Sequence, residues 1–252
     1  MQLTWLDSNS WTIDLGGKRI LLDPWLVGEL VFAELDWLFA GKRDRDRAIP
    51  DNIDFILLSQ GLEDHAHRPT LQQLDRDLPV IGSQNAAKAV TELGYHNVTA
   101  LGHGDRYVFE NAIEIHATPG SRVGMTTVEN GYVLKSLDTG ETLYYEPHGS
   151  HSETVRKFAP VDVVIAPVVN LSVPFVPPII QGKNSASKLA NWLQPKYFVN
   201  TAAGGDIHYS GVLANFLTSE GSTEELQAVL KKNNLDTRAI DATPGEPLEL
   251  GD

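Results

Sequence analysis

The chain is 252 residues long, carries 33 Asp plus Glu against 20 Lys plus Arg for a formal net charge of -13, and contains no cysteine. A chain of that length buries a substantial core without staples, and the missing cysteines exclude a disulfide framework, thiolate metal ligands and a cysteine nucleophile. The acid excess argues against nucleic acid as a partner, and no apolar run of about 18 residues is present to form a transmembrane helix.

The opening MQLTWLDSNSW has neither the basic start nor the apolar centre of a signal peptide, so a cytoplasmic protein is expected. Alternation predicts strands at Leu3–Leu6, Trp11–Leu15 and Arg19–Leu22. The last two are joined by a two-residue turn at Gly16-Gly17, where glycine tolerates positive φ. Asp23-Pro24 stops the third strand, and Asp23 either approaches the edge where the site histidines gather or, as expected first, is buried and accepts backbone N–H bonds. Trp25 to Phe39 is unusually apolar. Lys42, Arg43, Arg45 and Arg47 alternate with Asp44 and Asp46 and are expected to form a solvated, nearly balanced face. Phe55-Ile56-Leu57-Leu58 suits a strand buried on both faces. Helices are predicted at Pro69–Asp77 and at Asn85–Leu93, the second closed by Gly94, with strand Val80-Ile81 between them.

From Asn97 to Glu146 the texture is that of an antiparallel meander, with turns expected at Glu129-Asn130-Gly131 and Asp138-Thr139-Gly140. Helix Ser152–Phe158, strand Val161–Ala166, helix Ser185–Leu193 and strand Tyr197–Val199 follow. Ser222-Thr223-Glu224-Glu225 caps a last helix with Leu226, Val229 and Leu230 on one face. No repeat or linker divides the sequence, so residues 1–252 read as a single α/β domain. Strand-rich and mixed stretches alternate twice, which predicts two sheets packed face to face with helices outside.

Four polar clusters follow predicted strands, where open α/β sheets place their ligands. They are Ser59 to His67, Gly120-Ser121-Arg122, Glu146 to His151, and Gly204 to Tyr209. His96, His103 and His116 sit in ordinary turn or strand contexts and read as structural. The Asp64-His65 pair is poorly explained as core packing and reads as a site, because imidazole both binds metals and carries protons near neutral pH. His67 and His151 read equally as site partners or as surface histidines.

These residues carry a resemblance. The opening strands ending in Ile20-Leu21-Leu22-Asp23-Pro24-Trp25-Leu26, the run Asp54-Phe55-Ile56-Leu57-Leu58-Ser59 and the Asp64-His65 loop resemble the metallo-β-lactamase superfamily. The closer likeness is to its small metal-dependent hydrolases that include the ascorbate-6-phosphate lactonase group. The resemblance covers essentially the whole chain, to Thr243–Leu250, and implies a four-layer αββα sandwich with a one- or two-metal hydrolytic site at the edge between the sheets. The family's His-x-His-x-Asp-His loop reads here Gln60-Gly61-Leu62-Glu63-Asp64-His65, so two histidine ligands are replaced by Gln60 and Leu62. Leucine has no lone pair and a Gln carbonyl suits harder cations than zinc. The family's next histidine falls near Ser121 or Arg122, and its metal-bridging Gly-Asp is replaced around Glu146-Pro147-His148.

The resemblance therefore implies a metal held by Asp64, His65 and His208, the last placed where the family supplies its final histidine. Two imidazoles and a carboxylate with one open position make a complete catalytic zinc set. Asp64, Glu146 and His148 are the candidate catalytic residues, with Glu146 or His148 completing the metal shell or acting as general base. Gln60 and Arg122 are the candidate substrate-binding residues. One divalent ion is implied, zinc first and manganese or iron as alternatives, acting on a small molecule. The competing reading is a metal-free ligand-binding protein on the same fold. A serine hydrolase built on Ser150 or Ser210 lacks the G-x-S-x-G elbow, and no Walker loop supports nucleotide binding. The apolar Trp25–Phe39 stretch and the Val168–Ile180 loop either cover the core, form a homo-oligomer interface, or line a mouth for a lipophilic substrate.

Overall fold

A computed structural model describes residues 1–31, 35–123, 127–174 and 178–250, with only the backbone of Val123 described. The chain forms two compact units, each taken by itself below: Met1–Leu101, Gly204–Leu217 and Thr243–Asp252 make the first, Gly102–Ala203 and Thr218–Ala242 the second.

The first unit is built on a seven-stranded sheet in the order Pro247–Glu249, Gln2–Trp5, Trp11–Leu15, Lys18–Leu22, Phe55–Leu58, Val80–Ser83, Val98–Leu101. The first four strands pair antiparallel and the rest parallel. Leu15 pairs with Lys18 across Gly16 and Gly17, whose φ values of 56° and 72° give the tight turn its twist. Phe55, Ile56, Leu57 and Leu58 are all fully buried, as a strand covered on both faces must be. Leu71 of helix Arg68–Gln73 and Ala86 and Val90 of helix Gln84–Glu92 pack with Leu21, Ile56, Leu58 and Val80 of the sheet. Ser83 caps the second helix, and Gly94 follows it at φ 92°. A smaller sheet, in the order Ile207–Ser210, Ala40–Arg43, Leu30–Val31, completes this unit.

The second unit repeats the plan. Its seven strands run Arg238–Ile240, Tyr197–Asn200, Val163–Ala166, Thr142–Tyr145, Thr127–Ser136, Ile113–Val123, Arg106–Phe109, parallel in the first half and antiparallel in the second. Helices Gly182–Leu193 and Thr223–Lys232 bury Leu189, Leu193, Leu226 and Leu230 against Val164 and Phe198.

Several expectations are corrected. Glu129-Asn130-Gly131 is no turn but the middle of strand Thr127–Ser136, because a Cβ on Gly131 would lie 2.9 Å from Thr118 Oγ1 and 3.1 Å from the Tyr145 carbonyl oxygen. That glycine serves close approach and not chain reversal. Ser152–Phe158 forms a 3-10 helix over Glu153–Phe158. The basic run is solvated only in part: Lys42, Asp44, Arg45 and Asp46 are exposed, but Arg43 is buried over the Trp25 ring, and both Arg43 and Arg47 pair with buried Asp7. The apolar Trp25–Phe39 stretch divides, with Trp25, Leu26, Val27 and Leu30 in the core and Leu35 and Trp37 exposed. Phe32–Glu34 lie outside the described residues. In the other apolar loop Val168 and Ile180 are buried and Ile179 is exposed, while Phe175–Pro177 lie outside the described residues.

Candidate functional site

In the first unit a polar cluster forms where strands Lys18–Leu22 and Phe55–Leu58 end side by side. Asp23 donates its N–H to the Leu57 carbonyl at 3.0 Å and sits at φ 41°, turning its carboxylate toward the neighbouring loop. Its Oδ1 accepts the Ser59 N–H at 2.7 Å, and its Oδ2 accepts the Ser59 hydroxyl at 2.6 Å and faces His65 Nδ1 at 2.7 Å. The Gln60–His65 loop passes the start of helix Gln84–Glu92 so closely that a Cβ on Gly61 would lie 2.7 Å from the Asn85 carbonyl oxygen. At its end Asp64 Oδ2 stands 3.0 Å from His65 Nε2.

Burial alone would strip the proton from His65, but the carboxylates of Asp64 and Asp23 outweigh it and hold the ring well above the usual histidine range. The carboxylate on Nδ1 is the arrangement that orients a metal-binding imidazole and leaves Nε2 to the ion. Two donors each about 2 Å from one ion lie roughly 3 Å apart, which is the Nε2 to Asp64 separation. The retained proton marks a place for positive charge, so the pair fits a divalent cation.

The second unit carries its own cluster. Between Pro119 and Arg122 the Ile113–Val123 strand holds one more residue than its partner, a β-bulge that sets Gly120 and Ser121 against Glu129. A Cβ on Gly120 would come within 3.0 Å of Glu129 Cγ, and the Ser121 N–H, released from the ladder, points at Glu129 Oε1 at 3.3 Å. Ser121 Oγ donates to Glu146 Oε1 at 2.9 Å, while the N–H groups of Gly149 and Ser150 hold Oε2 at 2.6 and 3.0 Å. His148 Nδ1 lies 2.7 Å from Glu129 Oε1, and the His148 carbonyl is tied to the Gln181 N–H at 2.9 Å. Donor atoms of Glu129, Glu146 and His148 all fall within 4.8 Å of one another.

Glu129 and Glu146 are fully buried. Burial first, and then the charge of Glu129, push the Glu146 carboxyl up to about 8. Two inaccessible carboxylates cannot both ionise without a compensating cation. The cluster therefore holds a proton at neutral pH where a metal would supply the charge, and its oxygen-rich donors fit a divalent ion. His151 lies 3.4 Å from Glu146 Oε2 and 3.2 Å from the Tyr144 hydroxyl, and burial, reinforced by Lys188, holds it down at about 3. With Glu146 protonated and His151 neutral, their contact is one between uncharged groups and not an ion pair.

The other expected residues lie elsewhere. His208 does not join Asp64 and His65: it stands opposite Lys42 in the small sheet, its ring 69% exposed and 3.7 Å from Asp44. The physical reason is strand alternation, which turns Tyr209, and not His208, toward the buried side. Gln60 is buried, with no hydrogen-bond partner for Oε1 among the described residues, while Arg122 is exposed. His67 is structural, bonded to Thr70 and the Glu29 carbonyl and pushed down to about 4 by burial. Asp23 both accepts the Ser59 N–H and reaches His65, so the backbone-acceptor role and the approach to the site edge hold together. Glu129 was hidden by the Asn-Gly that follows it.

A family model described as a beta-lactamase superfamily domain matches residues 2–202. A UPF0173 metal-dependent hydrolase of Caldivirga maquilingensis is 24% identical over 172 residues, which is 66% of this chain and 69% of the relative. Among solved structures, an isothiocyanate hydrolase from Delia radicum gut bacteria superposes with a TM-score of 0.74 at 18% identity, covering 100% of both chains. A possible metal-dependent hydrolase from Veillonella parvula does so with a TM-score of 0.72 at 16% identity, covering 98% of both chains.

Proposed function

Since the chain belongs to the metallo-β-lactamase superfamily and has its α/β fold, we propose that it is a metal-dependent hydrolase of a small molecule, with its metal held by a rebuilt, carboxylate-rich donor set. The observation that carries this reading is the histidine-on-carboxylate geometry found in both clusters, His65 on Asp23 and His148 on Glu129, each at 2.7 Å. The name of the Caldivirga relative supports it. Asp64 with His65, and Glu146 with His148, are the candidate ligand pairs. A bound divalent ion would supply a Lewis acid and a water acidified to about pKa 7.

The residues themselves account for the rest. Asp23 and Glu129 fix their histidines with Nδ1–H outward to the carboxylate, so that Nε2 offers its lone pair. Ser121 and the Gly149 and Ser150 N–H groups lock the Glu146 carboxyl in place. Without an ion Glu146 keeps its proton at neutral pH, its value raised to about 8 by burial and the Glu129 charge, and an ion bound there would take that proton's place. Gln60, in place of a histidine ligand, offers a buried carbonyl oxygen to a donor on the substrate. Zinc, manganese and iron differ in their taste for oxygen donors, and this set leans toward the harder two.

Metal analysis of protein grown with zinc, manganese and iron supplied together is the test. About one ion per chain is expected, lost in Asp64→Ala if it sits beside His65 or in Glu146→Gln if it sits beside His148, with both variants remaining folded by circular dichroism. Well under one ion per chain, with melting unchanged by chelator, would instead favour a metal-free binding protein.

A further inference from the structure

The corner Asp23-Pro24-Trp25, which aims a carboxylate at His65, is held from a distant stretch of the first unit. Asp23 sits at φ 41°, a left-handed backbone that costs free energy for a residue other than glycine. Its N–H is tied to the Leu57 carbonyl, which fixes one flank. The other flank is fixed by a side chain: Ser10 Oγ donates to the Asp23 carbonyl at 2.9 Å and accepts the Trp25 N–H at 2.8 Å. Pro24 has no N–H with which to close the corner itself, and a hydroxyl is a small group that donates and accepts at once.

Ser10 is anchored in its turn. It closes the connection between strands Gln2–Trp5 and Trp11–Leu15, donating its N–H to the Asp7 carbonyl at 2.9 Å while its own carbonyl accepts the Leu6 N–H at 2.8 Å. Arg43 bridges the two ends of this clamp, with Nε on the Asp7 carboxylate at 2.7 Å and Nη2 on the Trp25 carbonyl at 2.6 Å. Ser10, Asp23, Trp25, Ser59 and His65 are all fully buried, so solvent does not compete for these bonds. The Asp23 carboxylate, with contacts of 2.6 and 2.7 Å to Ser59 and of 2.7 Å to His65, has little room to swing unless its main chain moves.

We propose that Ser10 is a positioning residue of the His65 site: its hydroxyl holds Asp23 in the left-handed conformation, and Asp23 thereby keeps the imidazole turned with Nε2 toward a metal. The inference rests on the metal-dependent hydrolase reading of that site. Ser10 acts through Asp23, so its effect on the metal vanishes once the Asp23 carboxylate is gone. A serine needed only to close its own turn would lower stability without reaching the imidazole.

Imidazole proton–nitrogen NMR on the chelator-treated chain reads this geometry, with His65→Gln identifying the His65 signal. A His65 Nδ1–H resonance far downfield and slow to exchange with solvent is expected in the parent, because the proton is buried against a carboxylate. Ser10→Ala should move it upfield or lose it to exchange while far-ultraviolet dichroism stays that of the parent. Manganese affinity of the Asp64-dependent site, by calorimetry, should fall about tenfold in Ser10→Ala, and no further when Ser10→Ala is added to Asp23→Asn. Ser10→Cys keeps the bulk with a weaker donor and carries both measurements if the alanine variant does not fold. An unmoved resonance in a variant that merely melts earlier would overturn the positioning role, as would an equally large loss of affinity in the Asp23→Asn background. Manganese binding that is absent, or unchanged by Asp64→Ala, would instead overturn the metal reading of this site, and the resonance of the metal-free protein then decides Ser10 separately.

Discussion

Asp7 shows at the scale of one residue what the buried charges of this protein demand. It is fully buried at φ 76°, with Arg43 Nε at 2.7 Å, Arg47 Nε at 2.8 Å and the Asp206 N–H at 2.9 Å around its carboxylate. Burial works to raise its pKa, but Arg47, the Asp206 N–H and Arg43 together hold it below the ordinary 3.8. A depressed carboxylate contributes stability that is complete above its unfolded pKa and is lost as pH falls through the folded one. Unfolding free energy should therefore decline below about pH 4, and Asp7→Asn should flatten that decline. At neutral pH the same variant leaves the Arg43 guanidinium buried without its counterion, at a cost of about 3–5 kcal/mol, readable by urea titration. In the second unit, Glu129→Gln should weaken manganese binding roughly 10–100-fold by releasing the His148 ring, measured by calorimetry. Of the site residues, the Asp64-His65 pair and the Glu146–His148 group were legible in the sequence, since the members of each lie within a few positions of one another. Asp7 meets Arg43, and Asp23 meets His65, across the fold, and no local pattern records such pairings.

At the scale of elements, local chemistry speaks more clearly. Gly16-Gly17 announced its hairpin because both residues need positive φ, and Ser222 announced a helix because its hydroxyl accepts the Glu225 N–H at 3.2 Å. Ser222→Ala should destabilise the protein by about 1 kcal/mol, checked by denaturant midpoint. Gly211→Ala should cost more, roughly 1–3 kcal/mol, because it combines a left-handed backbone with a Cβ pressed against Leu38. Where the sequence misled, at Asn130-Gly131, a neighbouring strand needed the glycine's missing side chain. Turn propensity and close approach select the same residue, and only the packing distinguishes them. His208 and Tyr209 illustrate the complementary difficulty: the strand was not expected there, so neither was the alternation that separates an exposed imidazole from a buried phenol.

Over the whole molecule, the two units are sewn from interleaved stretches of chain, with crossings at 101/102, 203/204, 217/218 and 242/243. We propose that residues 1–252 act as a single domain: neither unit is one continuous segment. One cooperative transition in urea is expected, with tryptophan fluorescence and far-ultraviolet dichroism coinciding. Added metal at 100 times its dissociation constant should raise the unfolding free energy by about 2.7 kcal/mol, and chelator should reverse the gain. The net charge predicts no shift of duplex DNA in a gel at physiological salt. The interleaving also bears on inheritance. Strand Pro247–Glu249 lies beside Gln2–Trp5, with Leu248 opposite Leu3. Any single recombination point between those strands would join the first strand of one parent to the last strand of another within one sheet. Exchange between diverged relatives is therefore tolerated only where those distant stretches of the gene already match.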